Sequence, residues 1–293
     1  MVSELEAEGF QFFEEAIWSS ALQTSDLPLL RRFLDRNGYK NVSVSIVRPS
    51  DEKSARVVWL RYYREDGQCL VRDQQLSIPA ESNHLRLVLG FRSESDLSKS
   101  PEKAIQVVSA LRLIFGIAVA RELILHSEFS ALDQDRGPYS EVSFASPFDT
   151  QDINRWDTPP ISDALIRDVP QEASFLLDKA VAQKFPQERF ILMWLAFEAC
   201  VHNLHGASGN GTKRQNYFIN ELGSEKANHE VFRLFKLRSE VFKEGSFSSS
   251  RMDDECWSLY YALQLVNLQD CPQRKALVLG YEAYIEKKQA RDS

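Results

Sequence analysis

The chain has 293 residues, 43% of them hydrophobic and 11% aromatic, which is ample for packed cores and for two domains and excludes wholesale disorder. A formal net charge of -7 excludes a surface that grips phosphate all over, because nonspecific nucleic-acid affinity rises with the cations presented; only a local basic patch stays open. Four cysteines, at 69, 200, 256 and 271, form no CxxC pair and suit reduced thiols in a cytoplasmic protein better than a secreted disulfide scaffold.

The acidic start, Met1-Val-Ser-Glu-Leu-Glu-Ala-Glu8, lacks the basic-then-apolar order of a secretory signal, so no export is expected. Residues 3–23 place Leu5, Phe12, Phe13, Ala16, Ile17 and Leu22 in approximate helical register, and a second helix is expected from Leu27 to Arg36, stopping at Asn37-Gly38. From Asn41 the period changes to two. Val42, Val44 and Ile46 alternate with serines, and β-rich runs follow at Val57 to Tyr63, Gln68 to Ile78 and Leu85 to Phe91. Glu65-Asp66-Gly67 is a hairpin signal, and the whole reads as an antiparallel meander of about four strands.

Ser100-Pro101-Glu102 then offers an N-cap, a proline at the first helical position and an acid in the first turn of a long helix, whose packing face runs from Ile105 to Leu125. Within it, Leu113 to Ala120 is the most membrane-like stretch, but eight apolar residues fall short of the roughly 20 a bilayer requires, so no membrane partner is expected. Between Asp133 and Pro160 the composition turns to Asp, Pro, Ser and Gly with Tyr139, Phe144, Phe148 and Trp156, a connecting segment with one short strand at 141–144. After Pro160 the pattern is helical, at about 161–167, 171–184, 187–204, 212–221, 226–243, 254–269 and 273–288, with corners at Gly223, Gly245 and Pro272. The expected fold class is α+β: an N-terminal α+β domain with an antiparallel sheet over 1–150, then an all-α helical bundle over 160–290.

Most chemical motifs are excluded by order or spacing. Gly206-Ala-Ser-Gly-Asn-Gly211-Thr-Lys213 follows a helix rather than a strand and reads Gly-Thr-Lys where a phosphate loop needs Gly-Lys-Ser/Thr, so it is expected to be a flexible helix-to-helix loop capped by Asn210 or Thr212. Glu198, His202 and His205 would share a helix face, yet no further ligand follows at a recognisable spacing, and no metal or other cofactor is expected. No Gly-x-Ser-x-Gly elbow and no dinucleotide fingerprint occurs. What remains is a helical pair: the apolar run Phe190 to Phe197 interrupted by the acid Glu198, and a second helix carrying Val231, Phe232, Leu234, Phe235, Leu237, Val241 and Phe242. An ion pair between Glu198 and Arg238 is the expected staple between the two, since a buried charge requires a partner.

Three segments carry a resemblance: Arg189 to Ala199, Leu222-Gly-Ser-Glu225, and Val231-Phe-Arg-Leu-Phe-Lys-Leu-Arg-Ser-Glu-Val-Phe-Lys-Glu-Gly245. Together they resemble HEPN domains, in particular the Apea-like branch, and the chain is also similar to proteins classed with methylamine utilization accessory protein J. The resemblance covers about 160–290 and implies a HEPN-like bundle that pairs with a second copy as a homodimer. Many HEPN proteins are metal-independent ribonucleases in which an Arg-x4-His motif supplies phosphate stabilisation and proton transfer. Here Arg238 matches the arginine, Glu198 matches the acidic helix position, and Lys243 stands where the histidine would be. A lysine is almost wholly protonated at neutral pH and makes a poor general base. The resemblance therefore implies a non-enzymatic accessory or binding protein, with RNA or an accessory protein as partner; the alternative is an endoribonuclease using Arg238 with Lys243. Lys213, Arg214, Arg233 and Lys236 are the further candidates for phosphate contact, within a segment whose eight Lys/Arg nearly balance seven Asp/Glu between Gln187 and Gly245.

Overall fold

The computed structural model describes residues 2–47, 54–63, 69–77, 83–99, 103–121, 123–131, 158–183, 185–206, 209–245, 247, 249 and 251–292. The N-terminal elements are α1 (Val2–Ala7), β1 (Phe12–Ser20), α2 (Leu27–Arg36), β2 (Val42–Val47), β3 (Ser54–Tyr63), β4 (Cys69–Ser77), β5 (Asn83–Phe91), α3 (Glu94–Lys99), α4 (Lys103–Phe115) and β6 (Leu123–Ser130). Antiparallel pairing gives a four-stranded sheet in the order β2-β5-β1-β6, while β3 and β4 pair with each other as a separate ribbon.

The helix expected over 3–23 is therefore corrected: after the short α1 the chain becomes β1, an inner strand of the sheet. Its register runs from Phe12 opposite Phe91 to Ser20 opposite Asn83. The cause of the misreading is burial on both faces. Phe13 packs with Leu5, Val88 and Phe129 on one side, with the Phe13 and Phe129 rings stacked at 5.3 Å. Ala16 and Trp18 join Leu85, Leu87 and Leu89 in the main core on the other. A strand buried on both faces loses the alternation that identifies it. Two acids survive inside it because each has a partner. Glu14 accepts the Ala104 backbone N–H at the start of α4 at 3.1 Å and lies 3.0 Å from His126 Nε2, and Glu15 pairs with Arg86.

The long helix is shorter than expected. Gly116, at φ 97°, ends α4; Ile117–Val119 form a 3-10 turn, and the expected far end of the helix, at Leu125, lies in β6. The proposed cap at 100–102, the Asp66-Gly67 turn and the strand at 141–144 lie outside the described residues.

The helix expected at 161–167 is only a 3-10 turn, Ile161–Asp163, after which Ile166 bridges Leu268 as extended chain; the later elements follow the sequence pattern: α5 (Gln171–Ala182), α6 (Pro186–His202), α7 (Asn210–Gln215), a π turn (Asn216–Glu221), α8 (Glu225–Glu244), α9 (Met252–Asn267) and α10 (Pro272–Asp292). Helix α4 is buried along almost its whole length, packing on β1 and β5 and also on α5 and α9. Polar contacts fix the join. Arg112, fully buried, donates to Asp178 at 2.6 Å and to the Ala120 carbonyl at 2.7 Å. The Tyr260 hydroxyl donates to the Arg112 carbonyl, and Gln264 to that of Leu113 at 2.7 Å. One continuous core thus runs from Ala16 to Ile285 and takes in residues of both regions, beside the smaller cluster around Phe13 on the other face of the sheet. Among the described residues no helix is long and apolar enough to cross a membrane.

Candidate functional site

The site is built where α6, α7 and α8 meet. Helix α6 buries Phe190, Met193, Trp194 and Phe197, and Trp194 packs against Phe197 at 5.4 Å and against Phe235 of α8 at 6.1 Å. This turns Glu198 toward the short α7. There the expected staple is corrected: Glu198 pairs with Arg214, whose Nη1 donates to Oε1, and Asn210 Nδ2 donates to Oε2 at 2.6 Å. Asn210 is thus spent on Glu198 rather than on capping α7, whose N-cap is Gly209. Arg214 is buried and sits between two aromatic faces, 5.5 Å over Trp194 and 4.8 Å over Phe235. Burial lowers its pKa, the Glu198 carboxylate opposes that shift, and the nearby positive charge of Arg238 adds to it.

Arg238 is left in a different state. Its guanidinium lies 4.5 Å over the Phe242 ring, its Nε has no hydrogen-bond partner, and among the described residues no carboxylate pairs with it. One turn nearer the start of α8 the same i, i+4 arrangement recurs in reverse order, with the Lys236 ammonium 4.8 Å over Phe232. Phe232 and Phe242 are 53% and 56% exposed, so both rings present area to solvent that a buried core would have claimed. Helix α8 therefore carries a ladder of Phe232, Phe235 and Phe242 with a cation against each ring.

The other candidate residues divide. Lys213 donates to the His202 carbonyl at 2.6 Å and so caps the C-terminal end of α6. Lys243 is exposed in the last turn of α8, which Gly245 ends in a left-handed conformation at φ 66°. His202 is the last residue of α6 and exposed, His205 lies beyond it, and among the described residues no group of three or more His, Cys, Asp or Glu is placed to hold a metal. Burial pushes the Cys200 and Cys256 thiols up to about 12, so neither is a thiolate nucleophile at neutral pH.

Arg233 points elsewhere, into a charge cluster that sequence reasoning missed. It donates to Glu230 at 2.8 Å and to Glu255, while Lys288 donates to the same two carboxylates at 3.0 and 2.6 Å. Ser258 completes the shell of Glu230 at 2.7 Å. Burial alone would raise the Glu230 pKa, but the hydrogen bonds from Arg233 and the charge of Lys288 outweigh it and hold the carboxyl at about 2. The available signal was positional. Glu230 stands four residues before Leu234, Glu255 four before Leu259, and Lys288 seven after Tyr281, so each charge falls on the buried face of its own helix.

No family model matches the chain, and neither a curated protein nor a solved structure matches it.

Proposed function

We propose that the chain is a non-enzymatic binding protein whose HEPN-like helical region, paired with a second copy, holds single-stranded RNA along the outward face of α8. The observation that carries this reading is the aromatic and cation ladder. Exposed rings with ammonium or guanidinium groups beside them supply stacking for bases and charge for phosphates, the combination used to hold single strands without sequence preference. Arg238 and Lys236 are the phosphate contacts in this reading, because among the described residues no ion pair to a carboxylate commits either of them. Arg214 and Arg233, each committed to acids, serve the framework instead.

Binding is preferred to catalysis in this reading because neither Lys243 nor His229 is placed to serve Arg238 as a general base. The residue five places after Arg238 offers an ammonium rather than an imidazole, and His229 stands nine residues before Arg238 on the same helix, about 13 Å away at 1.5 Å rise per residue. That is beyond the hydrogen-bond reach a general base needs. The direct test is incubation of labelled single-stranded RNA with the protein in EDTA, followed by separate measurement of binding and product ends. Binding without cleavage is expected. Cleavage that leaves cyclic-phosphate ends and disappears in Arg238→Ala would establish the endoribonuclease alternative instead.

A further inference from the structure

We infer that the cleft between α7 and α8 is a base pocket that takes one unstacked adenine of the bound strand, an inference that rests on the RNA-binding reading of α8. The cleft has a volume of about 520 Å³, room for a nucleotide, and opens beside the ladder. Phe232 and Phe235 form one wall, their rings 6.4 Å apart and nearly parallel at 23°, so a base entering the cleft meets aromatic surface, with Lys236 and Arg214 already lying over one face of each ring. Gln215 reaches it from α7 and Asn228 from α8. Neither amide side chain has a hydrogen-bond partner among the described residues.

The chemistry of the lining selects the ligand. An amide presents one donor group and one acceptor, the complement of the amino group and ring nitrogen on an adenine edge, and Asn and Gln are the side chains that pair with adenine in this bidentate way. Guanine offers two acceptors and calls for a free guanidinium or ammonium. The one guanidinium in the cleft, Arg214, is already held by Glu198. A pyrimidine covers less of the Phe232 and Phe235 wall. No carboxylate lines this cleft, so an approaching phosphate is not repelled. The neighbouring clefts around Arg274 differ, since Glu221 and Asp270 line both.

The test uses the full chain and four labelled RNA 12-mers, all uridine except for a central A, C, G or U, with affinities read by fluorescence anisotropy. The central-adenine strand is expected to bind about tenfold more tightly than the other three, and Gln215→Ala and Asn228→Ala, checked for unchanged helicity, to remove that preference. Equal affinities for all four strands would overturn the pocket while leaving the RNA-binding reading intact, as would a preference for G, C or U. No binding of any strand would overturn the RNA-binding reading, and the pocket with it. A preference for adenine that survives both substitutions would place the selectivity elsewhere and overturn the pocket.

Discussion

At Glu198 and Arg238 the sequence suggests a partnership that the fold divides. Glu198 neutralises Arg214, which is largely buried, so Glu198→Ala leaves a guanidinium without its carboxylate and is expected to cost about 1–3 kcal/mol. Arg238→Ala removes a charge that has no acidic partner and lies near another cation, so its expected effect on stability is within about 0.5 kcal/mol. Urea denaturation of the two variants reads the order directly. A staple between Glu198 and Arg238 would make both substitutions costly. The pairing was not legible because it depends on where α7 is placed, and a six-residue helix behind a glycine-rich loop leaves almost no periodic signal in the sequence. What was legible is that an acid within an apolar helix needs a cation nearby.

Among the elements, α8, α9 and α10 are clamped together by Glu230, Arg233, Glu255 and Lys288. Removing one member leaves buried charge uncompensated, so Glu255→Ala is expected to cost about 3–5 kcal/mol. The pH dependence has a definite sign. The Glu230 carboxyl titrates at about 2 in the folded chain against an ordinary value of 4.5, so its contribution is complete above about pH 4.5 and is lost as the pH falls toward 2. Urea midpoints of the parent and of Glu230→Gln are therefore expected to converge as the pH is lowered through that window; a constant separation would show that Glu230 ionisation is not what holds the clamp. These three helices were read within a few residues, because each shows one apolar face and recognisable breaks. Strand β1 was not, because its two faces are both buried, and β6 was hidden behind the break at Gly116.

Across the whole molecule, α4 is the shared wall of the sheet and the helical region. Its polar contacts, Arg112 with Asp178 and Tyr260 with the Arg112 carbonyl, join segments far apart in sequence. A single cooperative unfolding transition is expected, with far-UV and near-UV circular dichroism coinciding, and a fragment beginning at residue 160 is expected to lose fixed packing because it lacks α4. Two separated transitions, or a native-like fragment, would contradict a shared core. A chain of net charge -7 can hold RNA only through a local surface, and the proposal places that surface on the outward face of α8. The most direct measurement is the affinity of the full chain for a labelled single-stranded RNA 12-mer as a function of salt, with Arg238→Ala and Phe242→Ala alongside. Arg238→Ala is expected to lower the slope of log K against log salt by about 0.7, and Phe242→Ala to weaken binding by about 1–3 kcal/mol at nearly unchanged slope. Affinity and slope unaltered by both substitutions, with the fold intact, would contradict a binding face on α8.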